Sequence, residues 1–148
     1  PTNTPVITAP PPPPDACASI GGDGCKFKVR GGPAFTANGG GELRLTLAFV
    51  HGGRNNEAQG SYRVILTKNS VELPTKLCAA SVTGSMNSGP HGPFNHDCKL
   101  SLDQLPDGAV AGRYVGWVID GNHERDSQDF TLDVPAGQGE VWILFDQS

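Results

Sequence analysis

Between Glu42 and His51 the residues Leu43, Leu45, Leu47 and Phe49 occupy alternate positions, with Glu42, Arg44 and Thr46 in the gaps. A period of two is the mark of a strand with one buried face, and no helix gathers such positions into one stripe. This strand is expected in or near the centre of a sheet. The polar run Gly52 to Gly60 reads as a turn, and Ser61 to Thr67 as a second strand with Tyr62, Val64 and Leu66 on one face. A hairpin pairing the two is the expectation. Lys26 to Arg30 alternates Phe27 and Val29 with basic residues until the Gly-rich stretch Gly31 to Gly41 breaks it. Further strands are expected at Leu77 to Thr83, Cys98 to Leu102, Gly112 to Asp120, Gln128 to Val134 and Glu140 to Asp146. Eight short strands in a chain with 20 Gly, 13 Pro and no apolar spacing of three and four point to one architecture. It is an all-β, antiparallel β-sandwich of immunoglobulin-like or jelly-roll type.

Seven of the first fourteen residues are proline, five of them unbroken from Pro10 to Pro14. Each ring fixes φ and removes a backbone donor, so residues 1–16 are expected to be an extended linker and 17–148 a single sandwich domain. The chain begins without Met and without a charged-then-apolar leader, as expected for one module of a longer protein.

A net charge of −4 gives no electrostatic reason to bind phosphate backbones, so nucleic acid is not an expected partner. No apolar stretch approaches the roughly 20 residues that cross a bilayer, so no membrane partner is expected either. Cys17, Cys25, Cys78 and Cys98 form no C-x-x-C pair and have no interleaved histidines at zinc-finger spacing. Disulfides are the expectation, and with them an oxidising, extracellular compartment. Three connectivities exist; Cys17 with Cys25 and Cys78 with Cys98 are favoured because each closes a loop rich in Gly or Pro.

In Glu140 to Asp146 the set Val141, Ile143 and Phe145 shares one face, so Trp142 lies on the other, exposed if the first set faces the core and ordinary packing if the strand is covered on both sides. Trp117 is in phase with Val115 and Ile119, which favours a core role over a binding one. Tyr114 is then expected to point outward, with a tyrosine packed at a sheet edge or corner as the bland alternative. Trp142, Tyr114, Trp117 and Tyr62 are the aromatic candidates for a carbohydrate platform, because sugar C–H faces stack on flat π surfaces. Asn122 and His123 are candidates for the polar rim that meets the hydroxyls.

The stretch Asp120 to Asp129 is the most polar in the chain. Asp120, Asn122, Glu124 and Asp126 recur at every second position, a grouping of hard oxygen ligands that suits Ca2+. The sixth-position glycine and terminal glutamate of an EF-hand loop are missing, and a solvated hairpin loop or a ligand-contacting rim are the other readings. Among His51, His91, His96 and His123 only His91 and His96 lie close in sequence, in a Gly- and Pro-rich loop where both imidazoles could turn toward one ion. The His-x-His ligand strand of copper/zinc superoxide dismutases is missing, and so is the N-terminal histidine of oxidative polysaccharide monooxygenases. There is also no G-x-S-x-G elbow, H-E-x-x-H helix or phosphate-binding glycine loop, so catalysis is not expected from this chain.

A Pro/Thr-rich spacer before a disulfide-bearing β-sandwich with surface aromatics resembles the carbohydrate-binding modules of secreted bacterial enzymes that degrade plant polysaccharides. The resemblance is one of architecture. It implies a non-catalytic module that holds a covalently linked catalytic domain on cellulose, xyloglucan or mixed-linkage β-glucan. A structural or adhesive immunoglobulin-like module of a secreted or surface protein is the competing expectation.

Overall fold

The computed structural model of the chain describes residues 25–84 and 86–147, so the expected linker at 1–16 and the cysteine at position 17 lie outside the described residues. The strands are β1 (Lys28–Thr36), β2 (Glu42–His51), β3 (Glu57–Ala58), β4 (Arg63–Lys68), β5 (Val71–Glu72), β6 (Asn87–Ser88), β7 (Pro93–Phe94), β8 (His96–Ser101), β9 (Gly112–Ile119), β10 (Phe130–Val134) and β11 (Glu140–Asp146). Apart from four two-residue pieces, they match seven of the eight expected strands. One sheet runs β1-β11-β2-β3 with β8 also on β2, and the other runs β10-β9-β4-β5. A single buried cluster lies between them, with Leu45, Leu47, Phe49, Ile143 and Phe145 meeting Leu66, Val118 and Leu132. The chain is an all-β sandwich whose strand ladders are antiparallel among the described residues except that β11 runs parallel to β2 from Glu140↔Arg44 to Asp146↔Val50.

The eighth expected strand is not formed. Leu77 to Thr83 begins in a 3-10 turn, Pro74–Leu77, and continues as irregular chain. Its apolar residues are out of phase, so no single face can be buried, and Leu77 and Val82 are both exposed. The segment is stitched in without a ladder: the Ser81 N–H donates to the Tyr62 carbonyl, the Ser81 hydroxyl donates to the Gln59 carbonyl while accepting the Tyr62 N–H, the Val82 N–H donates to the Asn95 carbonyl, and the Cys78 carbonyl accepts from the Arg63 Nε.

The expected hairpin between β2 and the Ser61 to Thr67 strand is also corrected. β2 turns through a 3-10 turn at Gly52–Arg54 and pairs with β3, and the chain then crosses to the opposite sheet, where β4 pairs with β9. Two strands that each carry one strongly apolar face bury those faces against each other as facing layers. Side by side in one sheet, they would leave the second layer to be built from elsewhere.

The glycines after Arg30 do not end β1. The strand continues to Thr36 against β11 with register shifts between Val29 and Gly31 and between Gly31 and Ala34. Phe27 is fully buried while Val29 is exposed, because Phe27 sits before the chain joins β11, bridging Ser127 beside the other sheet.

β9 is the clearest reversal of phase. Tyr114 and Val118 face the core at 0% exposure, and Val115 and Trp117 face outward, half-buried. The Tyr114 hydroxyl donates to the Val110 carbonyl at 2.6 Å, a tyrosine corner four residues upstream. The buried Lys68 ammonium lies 5.0 Å from the Tyr114 ring centre. It is satisfied by Asp107 and by the Ala109 and Ala111 carbonyls.

Cys78 and Cys98 are bonded, with Cα atoms 5.5 Å apart. Cys25 is also disulfide-bonded. The buried bridge fits an oxidising compartment, and among the described residues no helix is long and apolar enough to cross a membrane.

Candidate functional site

Because Val141, Ile143 and Phe145 fill the core at 0% exposure, Trp142 and Leu144 must stand on the outer face of the first sheet. That face is not bare. The loop between Cys78 and Cys98 folds back over it as a small hairpin of β6 and β7, and Phe94 is buried there with the Arg44 guanidinium 6.0 Å from its ring centre. Asn95 roots this flap. β2 pairs with β8 up to Leu47 and with β3 from Val50, and the Asn95 side chain fills the gap: its Oδ1 accepts the Phe49 N–H, and its Nδ2 donates to the carbonyls of Phe49, Gln59 and Val82. A buried amide that satisfies the backbone of three segments holds the loop more firmly than its Gly/Pro content suggests.

The Trp142 indole is held between flap and sheet. Its Nε1–H donates to the Pro93 carbonyl at 2.9 Å. Two glycines border its benzo ring: a Cβ at Gly31 would come 2.9 Å from Cη2, and one at Gly92 would come 2.5 Å from Cζ2. Both positions must stay bare for the ring to lie where it does. The bulge in β1 therefore brings a side-chain-free stretch of backbone past the tryptophan.

What remains of the ring helps to floor a cleft of about 390 Å3, lined by Val50, Leu144, Met86, Gly92 and Pro93 with Arg30, Asn56 and His91 as its polar groups. Arg30 is fixed from two sides. One terminal nitrogen donates to Asp146 Oδ2 at 2.6 Å, and the other donates to Asn56 Oδ1 at 2.8 Å. Asp146, nearly buried, also accepts the Gly52 N–H, so the end of β11, β1 and the turn after β2 converge on one carboxylate. Asn55 and Asn56 both hold φ near +60°, a conformation that asparagine tolerates. His91 Nε2 lies 3.1 Å from the Phe35 carbonyl. A carbonyl only accepts, so Nε2 carries the proton and a neutral ring keeps Nδ1 as an acceptor. The cleft thus combines an apolar floor with a fixed donor fork, an amide and an imidazole.

The other expected site residues do not join it. Tyr114 is inside the core. Tyr62 packs against the core edge, its ring 4.6 Å from Phe27 and 5.8 Å from Phe49, and burial raises its pKa. Trp117 is on the outer face of the opposite sheet, with the Arg125 guanidinium 4.6 Å from its ring centre. Arg125 is pinned there by the Ser127 carbonyl and an ion pair with Asp129. Asn122 and His123 are exposed at the turn between β9 and β10 and do not line the cleft.

The acidic loop is organised by its own hydrogen bonds. Asp120 Oδ1 accepts the N–H groups of Asn122 and Glu124, while Asp126 is buried and accepts the Lys26 N–H. Burial raises the Asp126 pKa. The expected set of Asp120, Asn122, Glu124 and Asp126 does not converge: among the described residues no group of three or more His, Cys, Asp and Glu is placed to hold a metal ion. The two loop histidines are also placed in different surroundings. His91 is exposed on the flap, whereas His96 faces the core beside Phe49.

The alternation in Glu140 to Asp146 puts Trp142 off the core face, but the sequence reading missed Arg30, Asn56 and Met86 as its neighbours. The one local signal was Asn55-Asn56, a pair suited to left-handed turn positions. Arg30 and Asp146 are brought together across 116 residues, which no local pattern reports. No family model, curated protein or solved structure matches the chain significantly.

Proposed function

We propose that this chain is a non-catalytic carbohydrate-binding module that holds an attached enzyme on plant cell-wall β-glucan, with the Trp142 cleft as its binding site. The observation that carries the proposal is the pairing of a fixed, half-buried indole with Arg30, Asn56 and His91 in one cleft. A sugar ring presents the complementary pattern, an apolar C–H face and a rim of hydroxyls that both donate and accept. Stacking supplies affinity, the rim selects the ring, and tethering raises the local concentration of a linked catalytic domain at its substrate. The buried disulfide is compatible with secretion.

The test is affinity electrophoresis through gels containing xyloglucan or mixed-linkage glucan. Wild-type protein should be retarded, and Trp142→Ala should run as in a glycan-free gel. Trp142 is wedged between Gly31 and Gly92, so this variant also loses stability. His91→Ala, at an exposed position, is the companion variant, expected to weaken retention while remaining folded by near-UV circular dichroism. A wild type that is not retarded in any glycan gel would overturn the proposal. One observation favours the structural or adhesive reading instead: with Tyr114 in the core and Trp117 under Arg125, the described residues form no extended aromatic strip on the surface.

A further inference from the structure

We infer that the Trp142 cleft takes the end or a short run of a single uncharged glucan chain and does not dock on a crystalline glucan face. This rests on the glycan-binding proposal above and narrows its ligand.

Three features carry the inference. A crystalline face is flat, and gripping it needs several coplanar aromatic rings standing clear of the protein. Here the ring is single and recessed: the flap crosses the outer face of the sheet, Gly92 abuts the indole, Pro93 accepts its N–H, and His91 reaches over to the Phe35 carbonyl on β1. A flat solid meets the flap before it meets Trp142, whereas a single chain can enter beside it. The second feature is size. About 390 Å3 is near the lower end of the roughly 300–1,000 Å3 of ordinary ligand sites, room for one or two sugar rings and not for a long strip.

The third is charge. Among the described residues, Arg30 is the only charged one lining the cleft, and its charge is already met by the Asp146 carboxylate at 2.6 Å. A guanidinium held this way still donates hydrogen bonds, but binding a carboxylated sugar would set a second anion beside Asp146. Neutral hydroxyl oxygens carry no such repulsion.

The experiment is isothermal titration of the protein with cellotetraose, a neutral xyloglucan oligosaccharide and trigalacturonate, in about 0.05 M and 0.5 M salt, beside a pull-down on microcrystalline cellulose. The expected result is saturable binding of at least one neutral oligosaccharide, changed less than about twofold by salt as exposed charge pairing would not be, lost in Trp142→Ala, with no retention on the crystalline solid. Retention on microcrystalline cellulose that disappears in Trp142→Ala would overturn the inference and leave the glycan-binding proposal standing. Tighter binding of trigalacturonate, weakened by salt, would do the same. No binding of any carbohydrate in solution or on the solid would overturn both.

Discussion

The two tryptophans occupy corresponding places, each on the outer face of one sheet and each half-buried, yet their surroundings differ in kind. Trp117 is covered by a side chain of its own sheet's connection, the Arg125 guanidinium, which occupies the ring face a sugar would need. Trp142 is held by backbone, through the Pro93 carbonyl and two bare glycines, which fixes the ring and leaves part of it lining a cleft. An aromatic ring on a sheet face is thus a platform or a packing element according to what the adjoining loop places over it. On the first sheet that loop is the flap between Cys78 and Cys98.

The contrast can be broken at the flap. Reducing the Cys78–Cys98 bridge, or replacing Cys78 with Ser, should lower stability by about 2–5 kcal/mol and weaken any glycan binding as the flap loses its root. Denaturant titration with and without reductant measures this, and equal midpoints would show that the bridge does not anchor the flap.

Acid attacks the same region. Burial, reinforced by Arg63, lowers the His96 pKa to about 4, against opposing effects of the Ala79 carbonyl and Asp97. A free imidazole titrates near 6.5, so the unfolded chain takes up the proton first. Stability from the neutral ring is complete above about pH 6.5 and declines by about 3 kcal/mol as pH falls to about 4. Asp126, whose pKa is raised by burial, works in the opposite direction as it protonates. Urea midpoints between pH 7 and pH 4 should fall in the wild type and fall less in His96→Leu; parallel profiles would rule out His96 as the source.

Asn95→Ala should cost about 1–3 kcal/mol, since Phe49 and Val82 would lose buried hydrogen-bond partners. An unchanged thermal midpoint would show that the flap does not depend on this amide. The smallest effect belongs to the other face. Arg125→Ala should cost about 0.5–1 kcal/mol through the lost contact with Trp117 and should leave glycan binding intact. A loss of binding in that variant would move the site to the second sheet.

The same contrast explains what was legible in the sequence. Glu42–His51 and Glu140–Asp146 are readable to the residue because each has one strongly apolar face; the phase of Glu140–Asp146 puts Trp142 on the outer face but leaves open how far it is covered, and the flap half-buries it. β9 was read in the wrong phase because both of its faces are apolar. Ile119 is 2% exposed on the outer side, so alternation could not say which of Tyr114 or Trp117 faced the core. The sequence shows the flap only as a Gly- and Pro-rich loop between two cysteines, because nothing local in Gly89-Pro90-His91-Gly92-Pro93 tells that Phe94 and Asn95 become buried. That depends on contacts with β2, more than forty residues earlier. The cleft was invisible for the same reason, since it is made of β1, the turn after β2, the flap and β11.

The most direct test uses the fact that the chain has only two tryptophans. Trp117→Phe leaves Trp142 as the sole indole, and Trp142→Phe leaves Trp117. Each is titrated with soluble xyloglucan and mixed-linkage glucan while its fluorescence is followed. A saturable change with at least one glycan in the Trp142-only protein, and none in the Trp117-only protein, is the predicted result. A silent Trp142, or a response from Trp117, would contradict it.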